Sequence, residues 1–342
     1  MQVATVATRQ IAMKFRVLIA LLGIALIAAA CGSDANATPT TTGEPPADAE
    51  PVPADEAPQD DVIEDEASQD EAPGDEAPGD DEGPDVRIVS MSPTATEMLF
   101  AIGAGEYVVA ADNNSNFPAE APTNSDLTSF PVNVEGIISF EPDLVVTSAP
   151  IEGLAEVGIE ELVLPFAATF DDTYTQIEQL GAATGQVGEA AELVSEMQTE
   201  IAAIVAATET PDAGLSYYHE VDDTLFSATS ATFVGQVYAL FGLENVADAA
   251  DPDGESFGFP QLSEEFLVAA DPDLIFLADT ICCDQSAETV AARPGWDALS
   301  AVTNGDVIEL NDDVASRWGP RLVDYVEAIS EAVDSASVPV AN

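Results

Sequence analysis

Among the side chains of this sequence, the three cysteines have the surroundings that best indicate their chemistry. Cys31 directly follows a short apolar run and small residues, an arrangement that predicts lipid attachment to its thiol. Cys282 and Cys283 are adjacent and, in an exported chain, lie in an oxidising compartment. They then form a vicinal disulfide or stay reduced. A metal site is disfavoured because no second Cys or His motif stands nearby.

Residues 1–30 have the three parts of a signal peptide: positive charge, an apolar run and small residues before the cysteine. The apolar run, 17–30, has about fourteen residues, whereas a helix needs roughly 20 to span a bilayer. A cleaved signal is therefore expected, not a permanent membrane span. The segment before Cys31 resembles a lipobox, although Ala28 stands where leucine is usual. The alternative is a plain secretory signal with an incidental cysteine.

The single histidine, His219, follows Tyr217 and Tyr218 at the end of a predicted strand. A neutral imidazole or a tyrosinate can serve as an axial ligand of haem iron, and the alternative is a hydrogen-bonded cleft or surface histidine. Direct capture of zinc or manganese favours several His and carboxylate ligands, so no direct metal site is expected. No Gly-x-Ser-x-Gly elbow, phosphate loop or dinucleotide fingerprint is present. We therefore predict that the protein is not an enzyme.

Charge excludes whole classes of partner. All 64 acidic residues follow Cys31, and they face four arginines (Arg87, Arg293, Arg317, Arg321) and no lysine. This balance repels nucleic acid and anionic lipid surfaces. Residues 32–85 are rich in Asp, Glu, Pro and Ala, with repeats such as Asp70-Glu71-Ala72-Pro73. Such a segment buries too little apolar surface to order itself, and we interpret it as a flexible tether.

Composition changes at Val86, after which strand-like and helix-like segments alternate. Ser92 and Pro93 are typical of a helix N-terminus, and Thr94 with Glu97 matches a capping box. The longest helical pattern, 187–208, has apolar residues at helical spacing and would be roughly 33 Å long, enough to bridge two lobes. The predicted strands are 87–91, 144–147, 161–164, 215–219, 274–277 and 307–310.

An internal repeat supports two equivalent lobes. The segment 140–146 (FEPDLVV) is echoed by 270–276 (ADPDLIF), and each follows a short predicted helix. Glu135 and Glu265 lie eight residues before the aspartate of each repeat, in the first turn of those helices. One interpretation is that both are surface acids that complement the helix dipole. The other is that they form a symmetric pair that engages a symmetric partner.

Taken together, these segments resemble the substrate-binding proteins of ABC importers for iron-siderophores, haem and cobalamin. The resemblance covers roughly residues 86–336. It rests on 87–97 (RIVSMSPTATE), 133–137 (NVEGI), 141–145 (EPDLV), 179–185 (QLGAATG), 259–263 (FPQLS), 271–275 (DPDLI), 292–296 (ARPGW) and 316–321 (SRWGPR). It implies an α/β fold of two Rossmann-like lobes joined by a single long helix, with one ligand in the cleft between them. It also implies that Glu135 and Glu265 dock against a permease dimer.

The resemblance and the rule that α/β sheets bind ligands at the carboxyl ends of their strands indicate the same cleft residues. They are Ser92, Asn114, Phe130 and Ser148 in the N-terminal lobe, and His219, Glu220, Phe259, Arg317 and Trp318 in the C-terminal lobe. Phe259 and Trp318 either stack on a ligand face or pack in the core. Arg317 either contacts the ligand or forms a structural ion pair.

Because the chain has few cationic side chains after Cys31, we expect a neutral ligand. This ligand is transported and is not an intrinsic cofactor. Anionic catecholate or citrate siderophores usually require several convergent cations. A hydroxamate siderophore or a corrinoid fits better, although the position often aromatic in cobalamin binders is Ser148 here. Haem, with His219 as an axial ligand, is the alternative ligand. A clamshell sensor or adhesin is the alternative function.

The predicted organisation is a signal peptide (1–30), a lipidated cysteine and acidic linker (31–85), an N-terminal lobe (86–186), a hinge helix (187–210), a C-terminal lobe (211–336) and a tail (337–342). Translation starts at Met1 or Met13. We expect an extracytoplasmic monomer, held at the cell membrane by a lipid on Cys31, that delivers its ligand to an ABC permease dimer.

Overall fold

A computed structural model describes residues 86–211 and 214–336 of the chain. The predicted signal peptide, Cys31, the acidic linker and the 337–342 tail lie outside the described residues.

Two four-stranded sheets, one in each half of the described chain, form its framework, and every strand pair in them is parallel. The first contains β1 (Ile88–Ser90), β2 (Val108–Ala111), β3 (Leu144–Thr147) and β4 (Glu160–Val163). The second contains β5 (Ser216–Glu220), β6 (Glu244–Asn245), β7 (Leu274–Leu277) and β8 (Val307–Glu309). Their strand orders, β2-β1-β3-β4 and β6-β5-β7-β8, are equivalent. The predicted α/β fold with two lobes is therefore confirmed.

Helices connect and cover the strands. The α-helices are α1 (Pro93–Ala101), α2 (Val134–Ile138), α3 (Phe170–Thr184), α4 (Val187–Ala207), α5 (Phe233–Ala239), α6 (Glu264–Ala270), α7 (Ala287–Ala291), α8 (Ser300–Asn304), α9 (Asp312–Ser316) and α10 (Leu322–Ser335). Short 3-10 helices span Gly105–Tyr107, Ala155–Val157, Val246–Ala250 and Trp296–Ala298. None of the helices described is long and apolar enough to cross a membrane.

The helix α4 joins the two halves. It packs against α3 on the N-terminal side and against α10 on the C-terminal side. Its buried side chains include Val194, Met197 and Ile201, at the helical spacing that the sequence shows. Gly181 of α3 permits a close approach, because a Cβ there would lie 2.5 Å from the Cβ of Ala190. The single long helix that joins two lobes is therefore present as predicted.

The internal repeat extends to backbone conformation. Glu141 and Asp271, which precede the two repeat prolines, both have positive φ, 50° and 46°. Two residues later, Asp143 accepts a hydrogen bond from the backbone N–H of Arg87 at 2.9 Å, and Asp273 accepts one from Ser216 at 2.8 Å. In each lobe an aspartate thus fixes the start of the neighbouring strand. The repeat is therefore structural, and it makes corresponding positions in the two lobes equivalent.

The carboxyl ends of the N-terminal strands lead into polar loops. Ser92 follows β1, and its hydroxyl accepts a hydrogen bond from Ala95 N at 3.3 Å, so it caps α1 as predicted. The predicted Thr94–Glu97 capping box is wrong, because Ser92 is the N-cap and Glu97 is buried at 2 % exposure. Asn114 follows β2 and Ser148 follows β3. This sheet therefore directs hydroxyl and amide groups towards a single edge.

Candidate ligand-binding site

A cleft of about 460 Å³ lies between the two lobes. Its N-terminal wall includes Ser92, Asn114 and Ser148, and its C-terminal wall includes Ser316 and Arg317. The structure therefore brings together four of the residues predicted for the cleft, because the carboxyl ends of β1, β2 and β3 meet at one edge of the sheet. Most of the lining carries hydroxyl or amide groups, which bind neutral polar atoms.

A smaller cavity of about 20 Å³ adjoins the cleft and shares Ser92 and Ser148 with it. Trp318, another predicted residue, lines this smaller cavity. The Trp318 ring stacks on Phe233 at 4.6 Å between centroids. Trp318 is therefore packed within its own lobe and also lines the smaller cavity, and its predicted stacking on a ligand stays a prediction.

Phe166 is a site residue that the sequence reasoning missed. Its side chain is 81 % exposed, it lines both cavities, and its ring meets Trp318 edge-on at 6.4 Å. Phe166 closely follows the carboxyl end of β4. The strand-end rule that selected Ser92 and Ser148 would also have selected Phe166, since 161–164 was a predicted strand.

Phe130 and Phe259 lie apart from these cavities. Phe130 is 93 % exposed and follows Ser129, which does line the cleft, whereas Phe259 is 41 % exposed. Neither residue belongs to the described lining of the two cavities. Their predicted ligand contacts therefore stay predictions that would require a ligand extending beyond the cleft.

The predicted cleft position of His219 is wrong for this structure. The side chain is 2 % exposed, and its Nδ1 lies 2.8 Å from the hydroxyl of Tyr238. Strand alternation explains this position, because His219 shares a face of β5 with Tyr217, which stacks on the same Tyr238 ring. Burial lowers the pKa of His219 to about 4. An imidazole enclosed in this way does not reach a haem iron in the cleft.

Glu220 is likewise buried instead of lining the cleft. It is fully buried and receives two hydrogen bonds from Arg293, at 2.6 and 2.5 Å. A buried carboxylate requires such pairing. Asp279 lies beside Glu220. Its burial, and to a lesser extent the charge of Glu220, raise the pKa of Asp279 to about 8. This cluster therefore lies inside the C-terminal lobe, and neither carboxyl group lines the cleft.

Arg317 forms a structural ion pair across the lobes. Its guanidinium donates to Glu97 at 3.0 Å, to the backbone oxygen of Asn114 at 2.9 Å and to Asp313 at 2.6 Å. Arg321 also donates to Glu97, at 2.8 and 2.5 Å. The Glu97 carboxylate, only 1 % exposed, is thus shared by two arginines of the opposite lobe.

The other two arginines of the described chain are also engaged. Arg87 donates to the backbone oxygens of Phe140 and Glu141, at 2.7 and 3.1 Å, and Arg293 is paired with Glu220. Each arginine within residues 86–211 and 214–336 therefore donates to the protein itself. Over the same ranges, no group of three or more His, Cys, Asp or Glu side chains could hold a metal ion. The cleft lining consequently combines polar and aromatic groups with an Asp313–Arg317 pair whose charges oppose each other.

Glu135 and Glu265 occupy equivalent exposed positions. Each lies in the first turn of a short helix, α2 or α6, which is capped by Asn133 or Ser263. Those helices lead into β3 and β7, the corresponding strands of the two sheets. The geometry places one exposed carboxylate on each lobe in the same local setting.

Cys282 and Cys283 are joined by a disulfide. They follow β7 in an exposed loop, and the backbone N–H groups of Ile281 and Cys282 donate to the carboxylate of Asp312 at 3.0 and 2.8 Å. The vicinal pair is thus fastened to the first turn of α9, the helix that also carries Asp313.

Comparisons with known proteins agree with this architecture. The family model described as "Periplasmic binding protein" matches residues 88–314. An uncharacterized ABC transporter substrate-binding lipoprotein, YvrC, of Bacillus subtilis is 30% identical over 72% of this chain and 79% of its own. The cobalamin-binding protein of Halobacterium salinarum is 28% identical over 75% of this chain and 72% of its own. The solved structure of the vitamin B12 binding protein BtuF of Vibrio cholerae has a TM-score of 0.56 and 26% identity, covering 72% of this chain and 96% of that one.

The chain belongs to the periplasmic binding protein family. The resemblance stated from the sequence is therefore confirmed, and with it the role of an extracytoplasmic solute-binding component of an ABC importer. Proteins of this family bind a solute for transport and do not transform it, so the prediction that the chain is not an enzyme is also confirmed. The bound solute is cargo and not a cofactor.

Proposed function

We propose that this protein captures a neutral metal chelate of the corrinoid class and delivers it to an ABC permease. The observation that carries the proposal is the engagement of all four arginines of the described chain with protein acceptors, beside a cleft lined by hydroxyl, amide and aromatic groups. An anionic ligand would lose its hydration in this cleft without gaining a cation, which is costly.

The engagement of these arginines separates the candidate ligands by their charge. Catecholate and citrate siderophores carry several negative charges, and haem carries two propionates. Either would have to draw Arg317 or Arg321 away from the buried Glu97 carboxylate. Breaking a buried ion pair costs about 3–5 kcal/mol. A corrinoid and a neutral ferric hydroxamate avoid this cost.

Two observations favour the corrinoid over the hydroxamate. Phe166 provides an exposed aromatic face in the cleft, whereas Ser148, at the position often aromatic in cobalamin binders, provides none. A broad apolar ligand face packs well on such a ring. In addition, the names of two similar proteins specify cobalamin or vitamin B12. A ferric hydroxamate is the competing outcome of the test below.

Delivery in this proposal uses Glu135 and Glu265. Their equivalent exposed positions, one per lobe, suit a permease dimer in which two equivalent basic sites face the two lobes. Opposite charges across such an interface mainly guide association and orientation.

The location in this proposal depends on Cys31, which lies outside the described residues. After signal cleavage a lipid on Cys31 would hold the monomer at the membrane, with the acidic segment up to residue 85 as a tether. Metabolic labelling with a fatty acid tests the anchor. The wild-type chain should take up label, and a Cys31→Ala variant that still does so would contradict lipidation at this residue.

Native mass spectrometry of the full chain, purified from its own host, tests the ligand class. We expect a co-purifying species of corrinoid mass that contains cobalt. A species that contains iron and has the mass of a hydroxamate siderophore would overturn the corrinoid assignment while keeping the neutral-chelate argument. A haem-loaded protein would overturn both.

A further inference from the structure

The small cavity beside the cleft has features of a separate ligand subsite. Its volume of about 20 Å³ is close to the space that one water molecule requires. It shares Ser92, Ser148, Phe166 and Ser316 with the lining of the main cleft. The two spaces are therefore neighbours with a common wall.

Phe166 is the movable part of that wall. It is 81 % exposed, and its ring contacts Trp318 only edge-on, at 6.4 Å between centroids. Exposed side chains change rotamer within nanoseconds. Because Phe166 lines both spaces, rotation of its side chain changes their common wall without any change in the backbone.

Trp318, which lines this cavity, has an unused hydrogen-bond donor. Its Nε1 is buried and has no hydrogen-bond partner among the described residues. Stacking on Phe233 at 4.6 Å holds the indole ring in place. A buried N–H without an acceptor is unfavourable, so an acceptor that reaches this atom would be stabilised there.

The lining of the small cavity selects the kind of acceptor. It contains hydroxyl, amide and apolar side chains and no charged one. The Gln176 side chain is oriented by its own hydrogen bond to the Pro165 backbone oxygen at 2.7 Å. A carboxylate would lose hydration here without a cation, whereas a neutral carbonyl oxygen needs only the one donor.

We propose that this cavity is a subsite opened by Phe166, in which Trp318 Nε1 donates a hydrogen bond to a neutral amide carbonyl of the ligand. The inference deepens the proposed function, on which its link to transport rests, since the rim of a corrinoid carries amide side chains. The subsite itself is defined by Trp318, Phe166 and the uncharged wall around them.

NMR of the two tryptophan indoles tests the subsite without knowledge of the ligand. The full chain contains two tryptophans, so ¹⁵N-tryptophan labelling gives two indole signals. The signal that is lost in a Trp318→Phe variant belongs to Trp318. Trp296 is an internal control, because its Nε1 is also buried and without a described partner, but the residue lies in the core of the C-terminal lobe. Acetamide should move the Trp318 proton downfield in a saturable manner, while Trp296 stays unchanged.

Acetate and two phenylalanine variants make this test specific. Acetate, which matches acetamide in size but is charged, should leave the Trp318 signal in place. Phe166→Ala should strengthen acetamide binding several-fold, whereas Phe257→Ala, which removes an equally exposed ring (90 % exposed) that is not part of the cavity wall, should not. An unmoved Trp318 signal, an equal response to acetate or no effect of Phe166→Ala would overturn the subsite and leave a cavity that holds water only.

Cyanocobalamin then separates the subsite from the function. If the acetamide response occurs but cyanocobalamin fails to bind, the corrinoid assignment falls and the amide subsite stands. If cyanocobalamin binds and the Trp318 signal does not respond to it, the subsite falls and the proposed function stands.

Discussion

Glu97 of the N-terminal lobe lies 3.0 Å from Arg317 of the C-terminal lobe, and the same carboxylate oxygen also accepts from Arg321. The pairs join α1 to the segment between α9 and α10, so they fix the position of one lobe on the other. Two of the four arginines of the described chain thus form ion pairs across the lobes.

Glu97→Gln tests the importance of this cross-lobe cluster. The amide removes the Glu97 charge that Arg321 and Arg317 share and leaves Arg317 with Asp313 alone, so we expect the free energy of unfolding to fall by about 3 kcal/mol. Urea denaturation measures this change. The exposed Glu135→Gln is the matched control and should change stability by less than about 0.5 kcal/mol. Equal effects of the two variants would contradict the role of Glu97.

The buried Asp279 makes stability depend on pH. Burial and the neighbouring Glu220 raise its pKa from 3.8 to about 8, so the folded protein holds a proton that the unfolded chain has already released. Stability therefore falls as pH rises from about 4 to 8. Between pH 6.5 and 8 we expect a loss on the order of 1 kcal/mol in urea unfolding. Asp279→Asn, which supplies a neutral group at every pH, should flatten this slope, and an unchanged slope would contradict the assignment.

The protein has a single histidine, so its imidazole NMR signal needs no assignment and directly tests where His219 lies. Because burial lowers the pKa of His219 to about 4, the imidazole signal in NMR should titrate near pH 4 instead of 6.5. The unfolded chain takes up this proton below pH 6.5, so His219 contributes a loss of stability as pH falls from 6.5 to 4. A midpoint near 6.5, with a shift on addition of haemin, would place His219 in the cleft after all.

Charge reversal of the two equivalent glutamates tests docking. Glu135→Lys combined with Glu265→Lys should abolish uptake, because like charges would then oppose the permease, while ligand affinity should be kept. Glu178→Lys with Glu327→Lys is a control with the same change in net charge at exposed positions on α3 and α10. Loss of ligand affinity in the first variant, or equal loss of uptake in the control, would refute the docking role.

Local patterns in the sequence were sufficient for most of the fold. All six predicted strands are present, and the apolar runs of β3 and β7 are fully buried. The strand β2 was missed because Val-Val-Ala-Ala is short and half of it is alanine, which has weak strand preference. The edge strand β6 has only two residues, Glu244 and Asn245, and shows no pattern at all.

The site was predictable only where position in a strand determines it. Ser92, Asn114 and Ser148 follow strand ends, so the topology places them in the cleft. His219 and Glu220 are the last residues of β5 itself, and the partners that bury them, Tyr238 and Arg293, are distant in sequence. The role of Glu97 depends on arginines that follow more than 200 residues later, a pairing that local spacing does not reveal.

Isothermal titration of the full chain with chelates of different charge tests the central claim, that the cleft takes a neutral corrinoid. We expect cyanocobalamin to bind with a Kd of about 1 μM or tighter, corresponding to about −8 kcal/mol, and haemin and a ferric catecholate to bind at least tenfold more weakly. Phe257→Ala, which removes an exposed ring outside the cleft, should leave the binding of cyanocobalamin unchanged. Tighter binding of haemin or the catecholate than of cyanocobalamin would contradict the account.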